Sequence, residues 1–491
     1  MAKVVVIGAG FSGLSSACML AHKGFEVDVI EKHSTAGGRA RRYSEAGFTF
    51  DMGPSWYWMP DVFDRFFEHF GHKTSDFYQL ERLDPSYTIY FGPGDKVDLP
   101  ADEQALYALF DSIEPGSGVK LKKFLDEAAF KYEIGIQKLV LKPSKSITEF
   151  IDWEIISGAF KMHILQSFHS YIRKYFSHPK LLRILEFPIL FLGATAKKTP
   201  ALYSLMNYGD MKLGTWYPKG GMYQVVAAFE KLALSLGVRF HYDEEVTSFD
   251  IYNKKVKGVV TSKAVYQADY VIASADYHHV EQKILEPGFR NYNPKYWESR
   301  TMSPSSLIYY LGINKTLPGI QHHTLIFNPD FEKHAEQIYE NPVWPENPSV
   351  YLSCTSKTDI TVAPQGMENL FVLIPVAPGL HDTDEVRQHY FDFSIARIEE
   401  TLGIAFKDNI IYKRMYSNRD FATDYHAYKG NAYGLANTLR QTAILKPSMF
   451  NKKLLNLLYT GQLTIPGPGV PPAIISGQVA AGEIEKIQRK P

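Results

Sequence analysis

Lys3-Val4-Val5-Val6-Ile7-Gly8-Ala9-Gly10-Phe11-Ser12-Gly13 opens the chain, and its reading decides the fold. A short run of Val and Ile bounded by glycine is a buried strand. Residues 14–23 carry a helical pattern closed by Gly24, and residues 26–30 make a second strand that ends at Glu31. These parts form a complete βαβ dinucleotide fingerprint, each with a mechanical role. Gly8 makes the tight turn, Gly10 lets backbone approach a pyrophosphate, and Gly13 lets the helix lie close to the sheet. Phe11 and Ser12 complete the loop at a helix N-terminus, where free N–H groups and a partial positive charge favour phosphate. Glu31, followed by Lys32, stands 18 residues after Gly13. That is near the spacing at which an acid accepts the ribose hydroxyls, and its charge would repel a 2′-phosphate.

The next residues bear on which dinucleotide binds. Ala36-Gly37-Gly38-Arg39-Ala40 resembles the G-G-R turn of FAD-dependent oxidases and desaturases of the amine-oxidase type. The resemblance implies that Gly38 and Arg39 touch the FAD diphosphate. Phe50-Asp51-Met52-Gly53-Pro54-Ser55 resembles the same family's D-x-G-P segment, which implies that Gly53 and Pro54 pass near the flavin ring. Both matches favour FAD over NAD.

A chain of 491 residues exceeds one hydrophobic core, so two or three domains are expected. Net charge is zero, and no basic excess points to nucleic acid. The aromatic share of 14% suits a large apolar cavity or a membrane-facing surface, and equally an aromatic-rich core. Cys18 reads as buried core, and Cys18 and Cys354 offer no metal spacing. No run reaches 18 apolar residues, and the first strand leaves no room for a signal peptide. The expected location is cytoplasmic, peripheral on the inner face of the cell membrane.

Helices are expected at residues 61–69, 103–110 and 118–136, and a strand pair at 87–91 and 96–99. Residues 147–196 mix aromatic and basic side chains, among them Phe150, Trp153, Phe160, Lys161, Phe168, Tyr171, Arg173, Lys174, Tyr175 and Phe176. Such helices can lie in a membrane interface. The alternative is a buried helical subdomain with a basic outer face. Tyr217 to Met222 precedes a helix over 223–236. Strands follow at 256–260 and 265–270, then Val271 to Asp276. This order resembles the second part of a discontinuous FAD domain, which implies that Val246 meets the adenine through its backbone. Glu244-Glu245 reads as a solvated strand start, Asp51 and Asp276 as caps or FAD contacts, and His278-His279 and His322-His323 as surface or core histidines. Further strands are expected at 304–314, 349–355 and 369–375, and a helix at 384–402.

Near the C-terminus, Leu455 to Gly461 is a strand ending in glycine. Gln462-Leu463-Thr464-Ile465-Pro466-Gly467-Pro468-Gly469-Val470-Pro471-Pro472 follows, then Ser476-Gly477 and a helix over 478–487. This resembles the C-terminal signature of CrtI-type carotenoid desaturases, so the likeness spans nearly the whole chain. It implies that Gly461, Gly467, Gly469, Val470 and Ile474 line the flavin. The chain departs from the commoner pattern at residues 462–465 and at Pro472, which replaces a usual glycine. The variant resembles the hydroxycarotenoid 3,4-desaturases more than the phytoene desaturases.

The resemblance implies an α/β fold: a Rossmann-like FAD-binding domain of the amine-oxidase and phytoene-desaturase type. Its expected parts are residues 1–85, 217–285 and 440–491. An α+β substrate domain would take 86–146 and 286–439, and a helical membrane-facing subdomain 147–216. The implied substrate is a long apolar carotenoid. With one dinucleotide fingerprint and no second, reduced flavin would be reoxidised by oxygen or a quinone. No His-Asp or paired-carboxylate constellation demands a catalytic role. Amine oxidase, carotene isomerase and a prenyl-binding escort protein that has lost FAD are the rival readings.

Overall fold

A computed structural model describes residues 1–489 apart from 151–162, 164–165, 329 and 439. The strand Lys3–Ile7 is fully buried after its first residue and sits in the middle of a five-stranded parallel sheet. Its neighbours are Glu26–Ile30 on one side and Tyr270–Ala273 on the other. Arg239–His241 and Leu457–Tyr459 complete the two edges. One sheet thus collects strands from the start, middle and end of the chain, and the chain crosses between layers several times.

The first helix, Phe11–His22, starts three residues earlier than its apolar pattern indicated, because Gly10 is its N-cap. The last helix, Val470–Gln488, lies against it. A Cβ at Gly477 would meet Ser12 O at 2.3 Å, so glycine is what lets the two helices touch backbone to backbone. Ser15 Oγ donates to Ile474 O at 2.7 Å and locks the crossing. This helix begins eight residues before the expected 478. Pro471 and Pro472 occupy its first turn, where the missing N–H has no helical acceptor to lose.

The expected strand over 265–270 is two strands in different sheets. Val265–Gln267 belongs to a three-stranded antiparallel sheet, and Tyr270–Ala273 to the parallel one. Glu244, read as solvated, is buried and accepts from Tyr266 OH at 3.0 Å, because this antiparallel sheet folds over it.

A seven-stranded mixed sheet forms the second layer system. Its order is Ile410–Tyr416, Ser305–Ile313, Glu368–Val376, Val350–Ser353, His323–Ile326, Tyr87–Gly92 and Asp95–Leu99. Alternation along its strands divides the faces. Tyr309, Leu311, Leu352 and Val372 pack with Phe391 and Ile395 of the helix Asp384–Leu402. Tyr310, Leu325, Tyr351, Phe371 and Leu373 turn the other way, into the core shared with the glycine-rich N-terminus.

Within 147–196, Phe168, Tyr171 and Phe176 are buried, the last two against Phe124, so they are core residues and not membrane anchors. Tyr175 is half-buried. Trp153, Phe160 and Lys161 lie outside the described residues. Among the described residues no helix is long and apolar enough to cross a membrane.

Candidate cofactor and substrate site

The site starts at the C-terminal end of the central parallel strand, where open α/β sheets bind ligands. Gly8 turns with φ +98°, and its N–H donates to Ile30 O at 2.8 Å. A Cβ at Gly13 would lie 2.0 Å from Gly8 O, so this glycine seats the helix on the turn. Gly10 differs from both. Its φ of −77° suits any residue, and nothing lies within 4 Å of where its Cβ would be. Neither strain nor protein packing requires glycine there, and the open space is what a pyrophosphate needs. Gly38, at φ +54°, faces that space with its own missing Cβ 3.4 Å from Gly10 Cα. Ala9 O accepts from Gly37 N–H at 2.8 Å and joins the two glycine turns.

Glu31 is buried, and its carboxylate is fixed by Ala9 N–H at 2.8 Å and His33 N–H at 3.0 Å. Each oxygen keeps a second lone pair for a ribose hydroxyl. Glu244 N–H donates to Glu31 O and Asp243 N–H to His33 O, which lays the start of the Val246–Tyr252 strand alongside Glu31. Val246 itself is buried. Lys32 Nζ donates to Thr423 O at 3.1 Å and lies 3.2 Å from His426 Nε2. Glu245, His279 and His426 bring their ligand atoms within 4.8 Å of one another. The Lys32 ammonium at the same histidine nitrogen opposes a cation there. His279 and His426 are stacked at 3.9 Å.

Arg39 is half-buried, and desolvation lowers its pKa while the Asp276 carboxylate opposes that shift. Burial in turn raises Asp276 to about 6. Among the described residues, Arg39 Nε and Thr460 Oγ1 are both buried without a hydrogen-bond partner. Orphaned donors of this kind are rare and fit an anionic ligand with several acceptor oxygens. With its amide oxygen turned to Arg39, Gln462 accepts from Nη2 at 2.8 Å and donates to Tyr433 O at 3.3 Å. Gly53 packs on Arg39, with room for no side chain: its Cβ would be 2.5 Å from Arg39 O. Asp51 is a cap, accepting from Met222 N–H at 2.7 Å and Tyr223 N–H at 3.0 Å. Asp276 is likewise a cap, accepting from His279 N–H at 3.0 Å.

The C-terminal turn closes over the same place. Gly461 has φ +97°, and its Cβ would meet Ser12 Oγ at 3.3 Å. Gly467 and Gly469 take φ of +135° and +113°, conformations that favour glycine. Gly469 is the N-cap of the last helix, Val470 is its first residue, and Ile474 is buried on the first helix. The structure therefore brings Gly10 to Gly38, Ser12 to Gly461, and Glu31 to the strand of Val246. Pro54 lies between Gly53 and a polar cluster that begins at Ser55.

That cluster borders an apolar cavity lined by Phe187, Leu325, Phe327, Tyr351, Leu373 and Tyr433 among others. Tyr351 OH donates to Ser55 Oγ at 2.8 Å and lies 2.8 Å from His323 Nδ1. The His323 ring stacks on Trp56 at 3.9 Å, and burial pushes its pKa well down, so the imidazole is neutral. The cavity wall thus touches the glycine-turn segments twice, through Tyr351 to Ser55 and through Tyr433 to Gln462 and Arg39. Sequence reasoning missed Tyr351, Tyr433 and Thr460, because no motif spacing marks them. His322-His323 proves to be core.

The chain matches the family described as flavin containing amine oxidoreductase over residues 11–485. It is 40% identical over 482 residues to the carotenoid 3,4-desaturase of Haloarcula japonica, covering 97% of each chain. It is 30% identical over 485 residues to the zeta-carotene-forming phytoene desaturase of Myxococcus xanthus, covering 97% of this chain and 92% of that one. Among solved structures it resembles an oxidoreductase from Methanosarcina mazei with a TM-score of 0.64 at 16% identity, covering 99% and 100% of the two chains. The fold is that of an FAD-dependent oxidoreductase. The chain belongs to the flavin containing amine oxidoreductase family.

Proposed function

We propose that this chain is a carotenoid desaturase that introduces one double bond next to an existing polyene, by 3,4-desaturation of a 1′-hydroxycarotenoid of the hydroxy-γ-carotene type. The observation that carries this reading is the apolar cavity whose wall meets the cofactor segments at Ser55 and Gln462. The Haloarcula japonica relative, a carotenoid 3,4-desaturase, points to the same bond.

Gly8, Gly10, Phe11, Ser12, Gly13, Gly38 and Arg39 would hold the diphosphate, and Glu31, Lys32 and Val246 the adenosine. Gly53, Pro54, Gly461, Gly467, Gly469, Val470 and Ile474 would line the ring. Bound FAD supplies the hydride acceptor, its N5. The residues of the chain orient and exclude water. Phe187, Leu325, Phe327 and Leu373 give the polyene a dry wall. In such a cavity the reacting C–H bond is held in one place, and water cannot trap a delocalised cation. A carbon beside an extended cation is already acidic, so a strong protein base is not required. His334, Ser349, Tyr351 and Tyr433 are among the polar residues of that wall, and neutral His323 lies behind it at the Tyr351 hydroxyl.

A water-insoluble substrate also places the enzyme on a membrane surface, with oxygen or a quinone as electron acceptor. Co-sedimentation of the holoprotein with liposomes tests the first, and anaerobic turnover with and without quinone the second. The reaction is tested by expressing the chain in one host that makes phytoene and another that makes a hydroxylated γ-carotene. The expected product comes from the second host, two hydrogens lighter and absorbing at longer wavelength. Conversion of phytoene alone refutes the substrate assignment. Conversion of neither, with FAD bound, refutes the desaturase reading.

A further inference from the structure

Lys446 is 5% exposed and stands in no motif. Its Nζ donates to Asn437 Oδ1 at 2.6 Å and to Pro466 O at 2.7 Å. Both acceptors are neutral, and an ammonium carries three donors. No salt bridge reaches it among the described residues. Burial lowers its pKa to about 7, with no opposing charge as a cause. Gly467 is shaped around it: a Cβ there would lie 2.3 Å from Nζ. The ammonium therefore presses on the backbone of the Pro466–Gly469 turn from behind.

Burying an unpaired ammonium is costly. A glutamine could donate to the same two oxygens without carrying charge, so a clip for the turn does not explain a lysine. What does explain it is a negative charge that arises on the other side of the turn. The FAD diphosphate is not that charge, because its place is at Gly10, Gly38 and Arg39. A flavin ring gains negative charge at its pyrimidine end when it is reduced. The N-terminus of the last helix, at Val470, brings a partial positive charge to the same turn.

We propose that Lys446 is a positioning residue that sets the electron affinity of the flavin. It holds the Pro466–Gly469 turn by two hydrogen bonds and, when protonated, places a buried positive charge behind it. This rests on the reading that Gly467 and Gly469 line the flavin. A charge there raises the flavin reduction potential, which favours removal of hydride from a hydrocarbon.

The test uses holoprotein of Lys446→Gln, Lys446→Met and Lys446→Arg, with two readouts independent of turnover. One is the flavin midpoint potential. The other is the dissociation constant for sulfite, which adds to oxidised flavin and leaves negative charge on the ring. Gln and Met are expected to lower the potential and weaken sulfite binding by about tenfold or more, as for loss of a poorly screened charge nearby. Arg is expected to keep wild-type values. Asn437→Asp, which pairs the ammonium with a carboxylate, should weaken sulfite in the same direction and serves if the Lys446 variants lose FAD. Wild-type sulfite affinity in Gln and Met, or in Asn437→Asp where those two lose FAD, overturns the proposal. Gly469→Val separates the two layers of the inference. If it keeps full flavin, the placement of the turn at the flavin falls. If it loses flavin while Lys446→Gln leaves the potential unchanged, only the role of the charge falls.

Discussion

Gly10→Val and Gly13→Ala separate the two reasons for glycine in the phosphate loop. At Gly13 an added Cβ would stand 2.0 Å from Gly8 O and 3.1 Å from Gly8 C. Ordinary contact needs more than 3 Å, so the first helix would have to retreat by about an ångström from a half-buried turn that its own N-terminus rests on. Overpacking of that kind costs about 1–3 kcal/mol. Gly13→Ala should therefore destabilise the apoprotein as well as the holoprotein. Gly10 has ordinary extended backbone and open space at its Cβ. Gly10→Val should leave apoprotein stability within about 0.5 kcal/mol of wild type, as for a change that meets no protein atom. The branched side chain would instead fill the pyrophosphate space. A similar overpacking of about 1–3 kcal/mol, now falling on the ligand, weakens FAD by roughly 5- to 150-fold. Tightly bound FAD stabilises only the folded state, so the holoprotein Tm should fall in both variants but the apoprotein Tm only in Gly13→Ala. The assay is flavin absorbance per chain after gel filtration, with Tm measured before and after FAD is removed. Wild-type flavin occupancy in Gly10→Val, or an apoprotein Tm that falls as far as in Gly13→Ala, refutes the reasoning.

Glu31→Gln removes the charge while keeping the shape between Ala9 N–H and His33 N–H, and should weaken FAD by about 1.5–3 kcal/mol, measured by titration of the apoprotein. Leu373→Trp should fill the cavity, so that carotenoid no longer co-elutes with the protein while the flavin spectrum is unchanged; loss of flavin as well would place the cavity wrongly. Lys131 is buried and lies 3.8 Å from the Tyr171 ring centre, and burial lowers its pKa to about 7. Between that value and the ordinary 10.5 the unfolded chain binds more protons, so this lysine makes stability rise with pH across the window, by at most about 1.4 kcal/mol per pH unit. Lys131→Met should flatten that rise in urea midpoints measured at pH 7 and pH 9, and an unchanged slope counts against it.

What the sequence by itself determined is what a few neighbouring residues decide. The Val and Ile run fixes a strand, and the spacing of Gly8, Gly10 and Gly13 fixes the turn, because φ above zero and a missing Cβ are local demands. Helix 384–402 is legible for the same reason, with Thr383 capping its start and Gly403 its end. The C-terminal helix was legible only from residue 478, although Gly469 is its cap and two prolines stand in its first turn. Tertiary structure alone decided which side chains are buried and what meets them. Phe168 stands in a stretch that reads as membrane interface or buried subdomain alike and is core, and Glu244 reads as solvated and is covered, because their partners come from strands and helices elsewhere in the chain. Tyr351 reaches Ser55 across 296 positions, and Lys446 reaches Pro466 only where two loops fold together. Burial and pairing set the electrostatics of the site, and both depend on contacts between residues far apart in the chain.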